Sequence, residues 1–269
     1  MSDTATDSEG AAAPVLRLDD VSAAYGQFHA LFGVSIEVPA GGALAILGHN
    51  GMGKTTVARV ASGLVRPISG RVLVDGVDLS GKAPYRFARA GIAHAPEGRS
   101  VFATLTVEEN LSLVFRRAFG RRGVADALER VYELFPRLGD RRRQLAGSLS
   151  GGEQRMLTLS RVMVLEPRVL IADELSLGLA PIITDEVYRV LGRIKASGTA
   201  LVVVEQHVHH ALEVADRAVV LDRGRVTYEG PASDVPALMA AFRPATPDAA
   251  LLAEATSVED TASLEDVAR

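Results

Sequence analysis

The octapeptide Gly48-His49-Asn50-Gly51-Met52-Gly53-Lys54-Thr55 constrains this chain more than any other stretch. The apolar run Ala43 to Leu47 before it is short enough to be a buried strand, and Thr56 to Ala61 after it suits a helix. A G-x-x-x-x-G-K-[ST] run between strand and helix is a phosphate loop. Its glycines let successive N–H groups turn inward around anionic oxygens, and the helix start adds partial positive charge. Lys54 is placed to reach the β- and γ-phosphates and Thr55 to ligate Mg²⁺, with Gly48 to Gly53 and Thr56 completing the cradle. A plain Gly-rich turn with a solvated lysine is the alternative, and the flanking strand and helix argue against it. The expectation is a nucleoside triphosphate site.

Composition bounds the rest. At 269 residues the chain holds one large domain or two small ones, and 48% apolar with 23% charged residues is ordinary for a soluble globular protein. A net charge of −4 gives no general pull toward nucleic acid. The absence of cysteine excludes disulfides and thiolate metal sites, and fits a reducing compartment. No run approaches the ~18–20 apolar residues of a membrane span. Residues 1–14 are acidic and Ala-rich without a basic start, so they read as a disordered tail rather than a secretory signal. A cytosolic protein is expected, whose membrane role would come through a partner.

Val15 to Leu18 and Gly33 to Val38 alternate apolar and polar, and Arg71 to Val74 is another short strand, so an antiparallel β layer is expected beside the nucleotide core. Tyr25, in a turn of that layer, could stack on an adenine or simply pack. Gly91 to Arg99 reads as a strand entering a loop, and a helical region follows from Thr106 to about Arg161, opened by the Thr106/Glu109 capping box. Its arginine clusters could read phosphates but suit solvated helix faces. Ser150 and Glu153 form a second capping box around Gly151 and Gly152. Two glycines in a first helical turn weaken the helix yet let an anion approach bare N–H groups. The strand Arg168 to Ala172 ends in Asp173-Glu174; carboxylates there need a cation or a proton-transfer partner. Asp173 is the candidate to hold Mg²⁺ and Glu174 to deprotonate an attacking water. Thr199 to Val204 is the next strand, closing at Glu205-Gln206-His207, and Arg217 to Tyr228 forms a hairpin. Strands alternating with helices imply a parallel, doubly wound α/β core with its ligand crevice at the carboxyl ends. The three histidines from His207 to His210 fit no familiar zinc spacing. Beyond Pro244 the chain reads as a mobile acidic tail with a short helix near Ser263 to Ala268.

In this order the motifs resemble the ATP-binding subunit of ABC transporters, over residues 15–243. The resemblance implies a P-loop NTPase core of the ABC ATPase type with an antiparallel β subdomain and an inserted helical subdomain at about 95–161. It implies ATP and Mg²⁺ as cofactors. Gly48 to Thr55 matches the Walker A loop and Val169 to Asp173 the Walker B strand, with Glu174 the catalytic glutamate. Leu149 to Gln154, including Ser150, Gly151, Gly152 and Glu153, matches the signature motif. His207 matches the histidine that contacts the γ-phosphate, and Tyr25 falls where the adenine-stacking aromatic lies. Glu97 stands where most cassettes carry a glutamine, a nucleotide contact and a possible further Mg²⁺ ligand.

Pro96 to Arg99, Thr106 to Leu111, Glu133 to Leu138, Ser176 to Pro181 and Val204 to His207 look like the branched-chain amino-acid importer ATPases. Leu175 departs from the family's proline after the glutamate, and Ala180 replaces the aspartate of the common D-loop. The resemblance implies a second cassette, identical or distinct, closing head to tail so that each signature motif completes the other's site. It also implies two membrane permeases and a solute-binding protein, a location at the inner face of the cell membrane, and no nucleic acid. Exporter subunits share the same cassette. A soluble ATPase acting on nucleic acid or ribosomes often carries two cassettes or a long coiled coil; this chain has one phosphate loop and no sustained heptads.

Overall fold

The computed structural model describes residues 13–98 and 100–242. Strands β1 (Pro14–Tyr25), β2 (Phe28–Pro39) and β3 (Ala43–Leu47) lead to helix α1 (Lys54–Ala61), then β4 (Ser69–Val74), β5 (Val77–Asp78), α2 (Pro84–Arg89) and β6 (Ile92–Ala95). A helical run follows: α3 (Val107–Phe119), α4 (Val124–Leu134), α5 (Pro136–Asp140), a 3₁₀ turn at Ala146–Ser148 and α6 (Gly151–Leu165). The chain continues through β7 (Val169–Asp173), α7 (Pro181–Ala196), β8 (Ala200–Glu205), α8 (Val208–Leu212), β9 (Arg217–Asp222), β10 (Arg225–Pro231) and α9 (Val235–Phe242).

Two sheets result. The antiparallel one has the order β2-β1-β4-β5, and the other β10-β9-β3-β8-β7-β6, parallel except for the β9–β10 hairpin. Every residue of β3, β7 and β8 is buried, which explains their unbroken apolar runs: both faces are covered. Alternate residues serve different cores. Ala45, Leu47, Leu170 and Leu201 face the helices α3, α4, α6 and α7, while Leu44, Ile46, Ile171 and Val202 face α1 and the antiparallel sheet.

Some expectations need correction. Pro14 is not the end of a tail; it opens β1, whose twelve residues run well past Leu18. The alternation breaks at Asp19-Asp20, where a bulge with Asp20 at φ +50° lets the strand resume pairing at Val21. Tyr25 is therefore the last strand residue, paired with Phe28, and not part of the turn. The helical region is four helices, the last running to Leu165. Both capping boxes form: the N–H of Glu109 donates to Thr106 Oγ1 and that of Glu153 to Ser150 Oγ, each reciprocated by the glutamate. Leu175 is 2% exposed, a core residue where proline would have supplied less apolar surface. Residues 1–12, Arg99 and the tail beyond Phe242, including Ser263 to Ala268, lie outside the described residues.

One buried group makes stability pH-dependent. Burial, with the Arg59 charge behind it, pushes the His94 imidazole on β6 down to about 4. Its Nδ1 lies 3.0 Å from Ser62 Oγ, and its buried Nε2 has no partner among the described residues. As pH falls from 6.5 to about 4 the unfolded chain gains a proton that the folded one refuses, so stability is lost across that window. The gap corresponds to about 3 kcal/mol. A His94→Leu variant should lose most of this acid-dependent destabilisation in denaturant titrations at neutral and acid pH; an unchanged pH profile would contradict the assignment.

Candidate functional site

Three strand ends meet at the carboxyl edge of the parallel sheet. The phosphate loop follows β3, Asp173 ends β7 and Glu205 ends β8, which lies between the other two. The loop passes into α1 at Gly53, held at φ +100°, where a Cβ would meet Leu31 at 2.9 Å and the Ala30 carbonyl at 3.0 Å. Only glycine fits that backbone and that approach. The first N–H groups of α1 have no intrahelical acceptor, so the loop and helix start present donors to an anion.

The side chains converge from far apart in sequence. Lys54, 4% exposed, donates to the His49 carbonyl at 3.1 Å and pairs with Glu174 Oε1 at 3.2 Å. Thr55 Oγ1 donates to Asp173 Oδ1 at 3.2 Å across 118 residues. Asp173 is 1% exposed, and its Oδ2 has no partner among the described residues. Burial pushes its carboxyl up to about 6, against the Thr55 hydrogen bond and with the charges of Glu174 and Glu97 adding. An orphaned buried carboxylate oxygen beside a threonine hydroxyl fits a hard divalent cation, for which both supply oxygen ligands.

Lys54, Thr55 and Glu174 floor a cleft of about 640 Å³, lined also by Asn50 to Gly53, Thr56 and Glu97, and Asp173 joins it through its contact with Thr55. Tyr25 stands at its mouth, 43% exposed, beside Phe28 at 71%. Such open aromatic faces suit stacking on a planar base. Phe28, His29, Phe32, Leu177 and Arg223 also line the cleft, and no local motif marks them. The Tyr25–Phe28 pair across a two-residue hairpin turn was the available signal. The His49 side chain turns away, its Nε2 3.1 Å from the Phe242 carbonyl, so only its backbone serves the loop.

Two predicted groups are not brought to this cleft. His207 is exposed at the start of α8, edge-on to His210 at 6.3 Å. Ser150, Gly152 and Glu153 line a separate cavity of about 380 Å³ with Phe135, Met156 and Ile183. Gly152 has a packing reason of its own: a Cβ there would meet Ile183 of α7 at 2.4 Å, whereas at Gly151 it would find only ordinary contact at 3.5 Å. The α6 start is capped by Ser150 and Glu153, and Glu153 pairs with Arg141 at 3.1 Å.

A phosphate loop on a parallel sheet, with an antiparallel layer beside it and a helical insertion, defines an ATP-binding cassette. The ABC transporter family model matches residues 31–176. The chain is 41% identical over 214 residues, 79% of its length and 91% of the relative's, to the high-affinity branched-chain amino acid transport ATP-binding protein BraG of Pseudomonas aeruginosa. It is 34% identical over 225 residues, 82% of its length and 94% of the relative's, to the probable branched-chain amino acid transport ATP-binding protein LivF of Archaeoglobus fulgidus. Among solved structures, the ADP conformation of an ATP-binding cassette of an ABC transporter superposes with a TM-score of 0.72 at 25% identity, covering 84% of this chain and 97% of that one. The protein belongs to the ABC transporter family as an ATP-binding subunit, and it is an ATPase. No described helix is long and apolar enough to cross a membrane.

Proposed function

We propose that the cleft binds MgATP and hydrolyses it to energise import of branched-chain or related hydrophobic amino acids or amides through partner permeases. The observation that carries the ATP site is the convergence of Lys54, Thr55 and Glu174 on one cleft, with Asp173 held against Thr55 by a hydrogen bond. Tyr25 stacks on the adenine. The N–H groups from Asn50 to Thr56 and the Lys54 ammonium hold the phosphates. Thr55 and Asp173 would hold Mg²⁺, with Glu97 a further ligand, and the ion would supply neutralising charge at the phosphates. Glu174 takes a proton from water as its oxygen attacks the γ-phosphorus, and ADP leaves with the phosphate transferred to that water.

His207 and Ser150 to Glu153 act in the closed assembly. The signature helix start and the phosphate loop line separate cavities of one chain, which is consistent with the family arrangement in which a second cassette, head to tail, supplies its signature motif to this cleft. BraG and LivF, which are branched-chain amino acid transport ATP-binding proteins, support the solute class; on the importer reading the protein sits at the inner face of the membrane against two permeases fed by a solute-binding protein.

The test is an affinity capture of the Glu174→Gln variant with ATP, in mild detergent, from native membranes. Two multi-pass proteins, a second cassette and a solute-binding protein are expected. Permeases without a binding protein would redirect the reading to export. Ribosomes or DNA-bound proteins without a membrane subunit would overturn transport.

A further inference from the structure

Glu205 ends β8 only 2% exposed, and it does not line the cleft. Its Oε1 accepts hydrogen bonds from Tyr188 Oη at 2.8 Å, Ser176 Oγ at 2.9 Å and the Ser176 N–H at 3.4 Å. A carboxyl so enclosed is retained only where donors meet it, and here all the donors are neutral.

Ser176 belongs to the segment that presents Glu174, and Tyr188 to the helix α7 that follows it. Along it the side chains divide their duties: Glu174 and Leu177 line the cleft, Leu175 enters the core, and Ser176, 7% exposed, turns inward to Glu205. Glu174 sits at φ +47°, a left-handed conformation that is costly for a non-glycine residue and persists only where the surroundings hold it. Its N–H donates at 2.9 Å to the carbonyl of Val204, the neighbour of Glu205. The end of β8 thus grips the segment twice, through backbone at Glu174 and through the Glu205 side chain at Ser176. Tyr188 extends the grip to α7, and its ring stacks on His210 of α8 at 5.4 Å.

We propose that Glu205 is a positioning residue for hydrolysis: by anchoring Ser176 and Tyr188 it fixes the turn from which Glu174 addresses the attacking water. The inference rests on the proposed role of Glu174 as base. The segment needs a hydrogen-bond acceptor at this point, so Gln should replace Glu205 and Ala should not.

The experiment compares full-chain variants by steady-state ATP hydrolysis and, separately, by titration with a fluorescent ATP analogue. Glu205→Ala should lower kcat by more than about tenfold, because a small misplacement of a reacting group is costly, while analogue affinity stays within about threefold. Glu205→Gln should keep most of the turnover, and Ser176→Ala and Tyr188→Phe, each losing one donor group, should lower kcat several-fold. Should Glu205→Ala fail to fold, the two donor variants decide. Unchanged kcat in the donor variants overturns the proposal. Equal losses in Glu205→Gln and Glu205→Ala overturn the acceptor role, and a matching loss of analogue affinity assigns Glu205 to general structure instead. Glu174→Gln serves as the reference. If it hydrolyses ATP like the unaltered chain, the base reading fails and takes the positioning role with it; if it is inactive while the Glu205 and Ser176 variants are normal, the positioning role alone fails.

Discussion

Replacing Glu174 by Gln is expected to leave nucleotide binding intact and to lower ATP turnover by about 10²–10⁴-fold, the range supplied by a positioned general base. That corresponds to about 3–5 kcal/mol of barrier. Glutamine has nearly the same shape and can still accept a hydrogen bond from Lys54, which lies 3.2 Å from the carboxylate, but it takes no proton from water. Removing a negative charge from a cleft that receives a triphosphate also favours binding, so affinity should hold or tighten. Steady-state hydrolysis and equilibrium binding on the same preparation check both halves. Turnover equal to that of the unaltered chain would remove Glu174 from the chemistry.

Lys54→Ala is expected to abolish nucleotide binding at concentrations where the unaltered chain is saturated. The ammonium is 4% exposed and held between the His49 carbonyl and Glu174, so it is already placed and dehydrated before the phosphates arrive. Charge-assisted hydrogen bonds of this kind contribute about 1.5–3 kcal/mol each. Their loss leaves Glu174, with its side chain 12% exposed, facing the phosphates without its cation. Two such contacts to the phosphates together are worth about 3–6 kcal/mol, so a fall in affinity of at least about 10²-fold follows. Calorimetric titration with ATP measures it, and retained affinity would contradict the phosphate cradle.

The phosphate loop could be read from Gly48 to Thr55 because strand, turn and helix start are contiguous there, and backbone geometry is a local property. The same holds for the capping boxes at Thr106 and Ser150, whose partners stand three residues away. The burial of β3, β7 and β8 was legible because strands covered on both faces are apolar throughout. Other features were not legible. β1 continues beyond Leu18 through a bulge that no alternation announces, and Gly152 answers to Ile183 on another helix. Phe28 and Arg223 join the cleft from separate hairpins, while His207 stays outside it.

Asp173 and Glu174 could be singled out as costly carboxylates, but nothing local in Glu205, Ser176 and Tyr188 announces a shared network. Residue types and short spacings settled which groups could bind phosphate and move a proton. Which of them meet depended on strand order and register: β8 between β3 and β7 sets Thr55 against Asp173 and brings Glu205 under the segment that carries Glu174. Register is chosen by burial summed over whole sheets, and no single segment contains that sum.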